Sequence, residues 1–474
     1  MHILFEEPLN LRSFGDSFFE DVNIAQRIKK TSIPALIGFK KYGLLIFFIF
    51  ISNHWFAIIY ITLSFNRVVD MSAARILFAQ YLRGIACLMV MIFHLAGVFW
   101  LWPAAAGLAN TPVYNGTVPS IVNLVNPLGI INWGAVGVGL FFLISGFVIP
   151  LSLQKKDSIQ FLIGRFFRIF PTYAVGFSIS ICALGLAGWY YARNFVYPIQ
   201  IVLLNYLLLW DVFTGVSIDG AAWTLVIELK FYIICAMIIF WLRKADWQKI
   251  LFLCVALFVG LRLILDNIIP STLGGISLYF YEFDVPFLTF MFIGTMLYFY
   301  HYKKISLKET IFSIIVLSGL FMVSSAEGAG QAPLPPANGY FIGMGIFIAC
   351  FAYSQLKDKI PLKMTWNPGV FILTKAEGVL AFMADISYPL YIIHGITNYV
   401  LMRILLDIGF SPYIVLLIGI SDSILIALFL HTFIEIPSND FGKKIASRVD
   451  INSVIQGVYR RIDKSITLVL NILK

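Results

Sequence analysis

The sequence predicts an all-α, polytopic integral membrane helix bundle of about ten core transmembrane helices, with one further hydrophobic segment near the N-terminus. Three observations carry this prediction. Of 474 residues, 60% are hydrophobic and 12% charged, where a soluble domain carries about 25% charged residues; mean hydropathy is +0.87. The apolar residues gather into runs close to the ~17–25 residues that a spanning helix needs. Lys and Arg crowd into alternate connections, as they do when cytoplasmic loops retain cations.

Residues 1–70 form an N-terminal extension whose hydrophobic run at 42–63 has Arg27, Lys29, Lys30, Lys40 and Lys41 before it and Arg67, Arg75 and Arg83 after it. One span cannot keep both flanks inside. The run is an interfacial or hairpin segment, an extra helix that breaks the rule, or untranslated sequence upstream of a start at Met71, the reading we favour. The core runs of the transmembrane unit, 71–440, fall at 84–102, 132–151, 170–190, 221–242, 250–270, 284–302, 309–325, 339–355, 386–406 and 411–433. A run at 201–214 is too short to cross and ends near Asp211, which makes it re-entrant or interfacial. A basic tail, 441–474, spaces Val449, Val454, Val458, Ile462 and Ile466 at roughly helical intervals beside Arg460, Arg461 and Lys464. This is the pattern of an amphipathic helix on the cytoplasmic membrane surface.

With the chain before 84 inside, the inner connections hold Lys155, Lys156, Arg165 and Arg168; Arg243, Lys244 and Lys249; Lys303, Lys304 and Lys308; and Lys357, Lys359, Lys363 and Lys375. The outer ones hold Arg193 and Arg403. Fourteen cations against two place both ends of the ten-helix unit in the cytoplasm. Counting 201–214 as a span would move Arg243, Lys244 and Lys249 outside. The outer stretches 103–131 and 326–338 are rich in Pro, Asn and Gly and lack Lys and Arg. Asn115-Gly116-Thr117 is a glycosylation sequon with meaning only in a eukaryotic secretory pathway. The formal charge of +9 matches cytoplasmic loops facing anionic lipid headgroups, so membrane lipids are expected partners and nucleic acid is not. Cys87, Cys182, Cys235, Cys254 and Cys350 all lie in apolar stretches without metal or disulfide spacing and read as packing residues.

Chemistry concentrates at a few positions. Arg83 and His94 stand eleven residues apart in one apolar run; eleven steps of about 100° bring both to one helical face, with a rise of roughly 16 Å. If Arg83 marks a water boundary, His94 lies near the midplane of a core about 30 Å thick. An ionisable group there faces the bundle interior or a wet cavity, and imidazole titrates near neutrality. It is a candidate general base, or a structural histidine bonded between helices. Arg83 either snorkels to the headgroups or neutralises ligand charge. Arg165 and Arg168, one turn apart on a basic inner loop, suit phosphate recognition or simply set orientation. Glu228, roughly 10 Å below the outer end of its helix, must be paired, protonated or wet. Tyr232 is one turn further on and can share its face, whereas Lys230 points elsewhere. His394 follows Pro389, a residue able to kink a helix. Ser145, with Gly134, Gly137, Gly139 and Gly146 nearby, reads as close helix packing; no nucleophile elbow surrounds it. Arg262 and Asp266 form an i,i+4 pair, Glu435 before Pro437 is expected to have a capping or structural role, and His54 and His431 are background. The histidines show no metal-ligand spacing.

Five blocks occur in order: Arg83-(ten residues)-His94; Phe141-Phe-Leu-Ile-Ser145-Gly146-Phe147; Arg165-Phe-Phe-Arg168-Ile-Phe-Pro171-Thr-Tyr173; Trp223-Thr-Leu-Val-Ile-Glu228-Leu-Lys-Phe231-Tyr232; and Ser387-Tyr-Pro389-Leu-Tyr391-Ile-Ile-His394. Together they resemble the acyltransferase-3 family of membrane O-acyltransferases acting on cell-surface polysaccharides, over about 75–440. The resemblance implies transfer of an acyl group, commonly acetyl from acetyl-CoA as co-substrate with no bound cofactor, to a hydroxyl of a glycan or other envelope acceptor. It implies catalytic roles for His94, Glu228 and Arg83, donor binding by Arg165 and Arg168, and a site lined by His394, Tyr232 and Tyr173. A bacterial inner membrane is the expected location. Family members exist that are fused to a soluble esterase-like domain; without one, this chain is expected to act alone or with a separate extracytoplasmic transferase partner. The rival readings are a proton-coupled transporter or glycan translocator using His94 and Glu228 as a relay, and a membrane acyltransferase acting on lipid or protein.

Overall fold

The computed structural model describes residues 77–102, 110–125, 131–265, 272–273, 276–277, 281–328, 337–356 and 378–448. The expectations for 1–70, the run 42–63, the start at Met71, the tail beyond 448, Asp266, and Lys357, Lys359, Lys363 and Lys375 lie outside the described residues.

Among the described residues, helix makes up most of each of the ten core runs. The first is α1 (Leu77–Phe93), which passes through a π-helical turn, His94–Val98, into Phe99–Leu101. Then come α2 (Trp133–Leu153), α3 (Ser158–Tyr191) and a short α4 (Ile199–Tyr206). The fourth run is α5 (Ala222–Met237) followed after Ile238 by α6 (Ile239–Lys244). Next are α7 (Trp247–Leu265), α8 (Tyr281–His301), α9 (Leu307–Gly328) and α10 (Ala337–Leu356). The ninth run is split into α11 (Ser387–Ile393) and α12 (Ile396–Asp407), bent by 55°. The tenth is α13 (Pro412–Leu430), continuing through the π turn His431–Glu435 into α14 (Ile436–Ala446). Among the described residues, seven helical spans are long and apolar enough to cross a membrane, eight with the bent pair. The 16-residue α5 rises only about 24 Å before its break. Two-residue strands, Thr272–Leu273 and Ile276–Ser277, form a small antiparallel ladder.

The run at 201–214 is no span. It breaks into α4 and a short helix, Trp210–Phe213, with Leu208 between them at φ 55°. Arg165 and Arg168, expected on a loop, lie instead on α3. Asp157 starts that helix early by accepting a hydrogen bond from the Gln160 N–H at 2.8 Å. Its 34 residues rise about 51 Å, so its basic first turns extend beyond a core of about 30 Å. Arg403, counted as an outer-loop cation, is likewise inside α12. It pairs with Asp407 and donates from Nε to the Pro112 carbonyl at 2.8 Å. With Ser120 and Tyr413 at 2.9 Å, that bond straps the segment around 110–120 onto the outer ends of α12 and α13.

The centre of the bundle is α2, packed against α1, α8 and α10. Its crossing with α8 requires glycine on both sides. A Cβ on Gly146 would lie 1.8 Å from the Met291 carbonyl oxygen, and one on Gly294 would lie 2.3 Å from that of Leu143. Thr295 fastens the crossing by donating to the Gly146 carbonyl at 2.9 Å. Lys230 does point away from Glu228, pairing with Asp211 and Asp284 to join α5 to Trp210–Phe213 and α8. At the inner ends, Arg243 donates to the carbonyls of Leu153 (3.0 Å) and Lys156 (2.8 Å), fixing the tight α2–α3 connection.

Candidate active site

Helices α1, α2, α3, α5 and α11 line a partly open cavity of about 80 Å³. Chain direction orders its lining. Arg83, near the start of α1, meets Arg165 and Arg168 of α3 and Tyr232 of α5 at the inner end. Ser145 and Glu228 stand midway, and Thr224 and Tyr391 lie toward the outer end. Val138, Phe141, Phe142, Ile149, Ile169 and Leu225 supply apolar walls. Three guanidiniums face one carboxylate among these residues, so the space favours an anion at its inner end and an apolar group further in.

The guanidinium of Arg165 is held flat. It donates to Ser152 Oγ at 3.0 Å and lies 5.1 Å from the Phe161 ring centroid and 5.0 Å from that of Tyr232. A planar cation fixed between aromatic faces keeps unused N–H groups in a set direction. Positive charge is crowded here: in the inner connection, burial, then Arg165 and Lys443, hold the Lys156 ammonium below its ordinary value. Glu228 accepts at one oxygen from Ser145 Oγ (2.7 Å) and from Tyr232 Oη (2.5 Å). Its i,i+4 relation to Tyr232 is the geometry that spacing predicts. Ser145 differs from expectation: its hydroxyl holds Glu228, and the close packing falls to Gly146 next to it.

His94 lies outside this cavity, immediately past its outer end. It opens the π turn that interrupts α1, and such turns re-aim side chains at functional positions. Its ring centroid is 4.7 Å from that of His394, and its Nδ1 is 3.3 Å from the Tyr399 hydroxyl. Tyr391 stands between the cavity and the histidine pair: it lines the cavity, takes a 2.7 Å hydrogen bond from Thr224, and has its ring 5.5 Å from His394. His394 sits at the α11–α12 break, whose cause is Gly395 at φ −82°, ψ −110°, a backbone state outside the helical region. Pro389 is in the first turn of α11, where a missing N–H costs nothing, and does not make the kink. Asn398 donates to the freed Ile393 carbonyl at 3.1 Å. Asp219, in the buried turn before α5, lies close by: a Cβ on Gly395 would be 3.6 Å from its Oδ1. Burial pushes its carboxyl up to about 6, partly opposed by the Ala221 N–H.

Arg83, Arg165, Arg168, Glu228 and Tyr232 thus line one cavity, while His94 and His394 pair with each other outside it. Tyr173 belongs to neither. It is buried, stacks on Phe177 at 5.6 Å and donates to the Asn205 carbonyl at 3.0 Å, bracing α4. Thr224, Tyr388, Tyr391 and Tyr399 were not singled out by sequence reasoning. Tyr388 and Tyr391 lie within one of the family-like blocks, which was the available signal; Tyr399 carries none, because only the bend at Gly395 turns it toward His94. Glu435 is buried and bonded to His431 Nδ1 at 2.7 Å within the second π turn.

Bundle and cavity define a polytopic membrane protein with a basic, apolar-walled internal site. A family model described as an acyltransferase domain matches residues 76–432, and the chain belongs to this acyltransferase-3 family. It is 30% identical over 134 residues to nodulation protein 10 of Rhizobium leguminosarum bv. viciae, a match covering 25% of this chain and 36% of that protein. No solved structure matches.

Proposed function

We propose that the protein is a membrane O-acyltransferase moving an acyl group, with acetyl expected, from a cytosolic coenzyme A thioester to a hydroxyl of a glycan or other envelope acceptor in a bacterial inner membrane. The observation that supports this reading is the order of groups: guanidiniums at the inner end of the cavity, apolar walls, Tyr391 at its outer end, and the histidine pair next to Tyr391 beyond it. Arg165, Arg168 and Arg83 bind the donor's phosphates, and the acyl end extends between Phe141, Val138 and Leu225 toward Tyr391. An acceptor hydroxyl enters from the outer side beside His94. The imidazole takes its proton as the oxygen attacks the thioester carbon; a C–O bond forms, the C–S bond breaks, and the proton passes to the departing thiolate. A placed histidine base contributes about 10²–10⁴-fold. Glu228 orients the inner cavity through Ser145 and Tyr232. In the same proposal the chain acts alone or hands its acyl group to a separate extracytoplasmic transferase.

The test uses membranes containing the protein and acetyl-CoA labelled in its acetyl group. Label is expected in alkali-labile linkage on envelope carbohydrate, with thiol released in equal amount. Substrate-linked proton flux without thiol release would favour a transporter, and label on protein or lipid alone would change the acceptor class.

A further inference from the structure

His394 is 1% exposed. Its Nδ1 lies 3.1 Å from the Leu390 carbonyl oxygen, which only accepts, so Nδ1 carries the proton. That fixes Nε2 as a bare lone pair, and among the described residues this buried nitrogen has no hydrogen-bond partner. The His94 ring, by contrast, faces a phenol that can donate or accept. A buried acceptor without a donor is costly unless a ligand completes it. If His94 takes the proton of the reacting hydroxyl, that group has none left to give His394, so Nε2 needs a second O–H close to the first.

Resting on the acyl-transfer reading, we propose that His394 Nε2 is a hydrogen-bond acceptor for a non-reacting hydroxyl of the acceptor substrate, and that the acceptor belongs to the class of compounds with neighbouring hydroxyls, as in a 1,2-diol. His394 positions and His94 removes the proton. The 4.7 Å separation of the rings lets one small diol address both. Tyr391, packed on His394 and lining the donor cavity, places the thioester end next to the bound pair.

Small alcohols test this without knowledge of the natural acceptor. Purified full-length protein in nanodiscs is given acetyl-CoA with either ethane-1,2-diol or ethanol, and ester and free thiol are measured. Because an unmade bond to a buried acceptor is costly, wild type should favour the diol by about tenfold per hydroxyl. His394→Phe should lose that preference, leaving only the statistical factor for two hydroxyls. His394→Gln, which retains an acceptor oxygen without basicity, should keep it. Acetyl-CoA binding and elution as a monodisperse particle should be unchanged in both variants. A wild type that releases thiol yet esterifies both alcohols equally, or neither, overturns the proposal, as does a preference persisting in His394→Phe. Equal inactivity of His394→Gln and His394→Phe toward every acceptor would make His394 the base instead. Wild type that releases no thiol from acetyl-CoA defeats the acyl-transfer reading itself, a result distinct from all of these.

Discussion

Replacing Gly146 by alanine should separate α2 from α8 and damage the site together with the fold. The new Cβ would lie 1.8 Å from the Met291 carbonyl oxygen. Non-bonded heavy atoms settle near about 3.5 Å, so the helices must part by more than about 1 Å. Overpacking of this kind costs about 1–3 kcal/mol, opposed by about 1 kcal/mol of improved helix propensity. Gly319, in the middle of α9, has nothing within 4 Å of its Cβ position, so Gly319→Ala receives the propensity gain alone. Ser145 adjoins Gly146 and bonds Glu228 of α5 at 2.7 Å, a contact that a shift of α2 by this amount breaks. Thermal unfolding in detergent micelles, followed by tryptophan fluorescence, should place Gly146→Ala below wild type and Gly319→Ala at or above it. Acetyl transfer by Gly146→Ala should fall even well below its melting temperature. Coincident melting of the two variants would refute the reasoning.

Two further outcomes are expected. Arg165→Lys keeps charge but loses the fork and both ring contacts, so the KM for acetyl-CoA should rise about tenfold, and further for Arg165→Gln; initial rates against donor concentration check this, and an unchanged KM would remove Arg165 from the donor site. Asp219 is raised by burial to about 6, above an unfolded value of about 3.9, so its contribution to stability is complete below about pH 4 and is lost as pH rises through about 6. Melting of Asp219→Asn relative to wild type should therefore climb from pH 4 to 6 and then level; a flat difference would contradict the buried placement.

Much of this molecule was readable from sequence, because membrane burial imposes long apolar runs and cation asymmetry. Among the described residues each of the ten core runs is mostly helical, and Lys230 turns away from Glu228 as its offset from that residue implies. Local spacing also brought together what one helix can bring together: Arg165 with Arg168, and Glu228 with Tyr232. Contacts made across the chain were not readable in this way. His94 and His394 are 300 residues apart, and their meeting depends on a π turn and on a backbone conformation at Gly395 that no periodicity encodes. The glycine-rich sequence around Ser145 signals packing, and only the neighbouring α5 reveals that its hydroxyl is committed to Glu228. Tyr173 looked functional from its block, yet its hydroxyl is spent on a backbone carbonyl.

The most direct measurement compares cells expressing wild type with cells expressing His94→Ala at equal membrane levels, by mass spectrometry of their envelope glycans, alongside acetyl-CoA binding by the purified proteins. The account predicts acetyl esters with wild type only, and donor binding retained by the variant, since Arg83, Arg165 and Arg168 are untouched. Equal acetylation from both would contradict it.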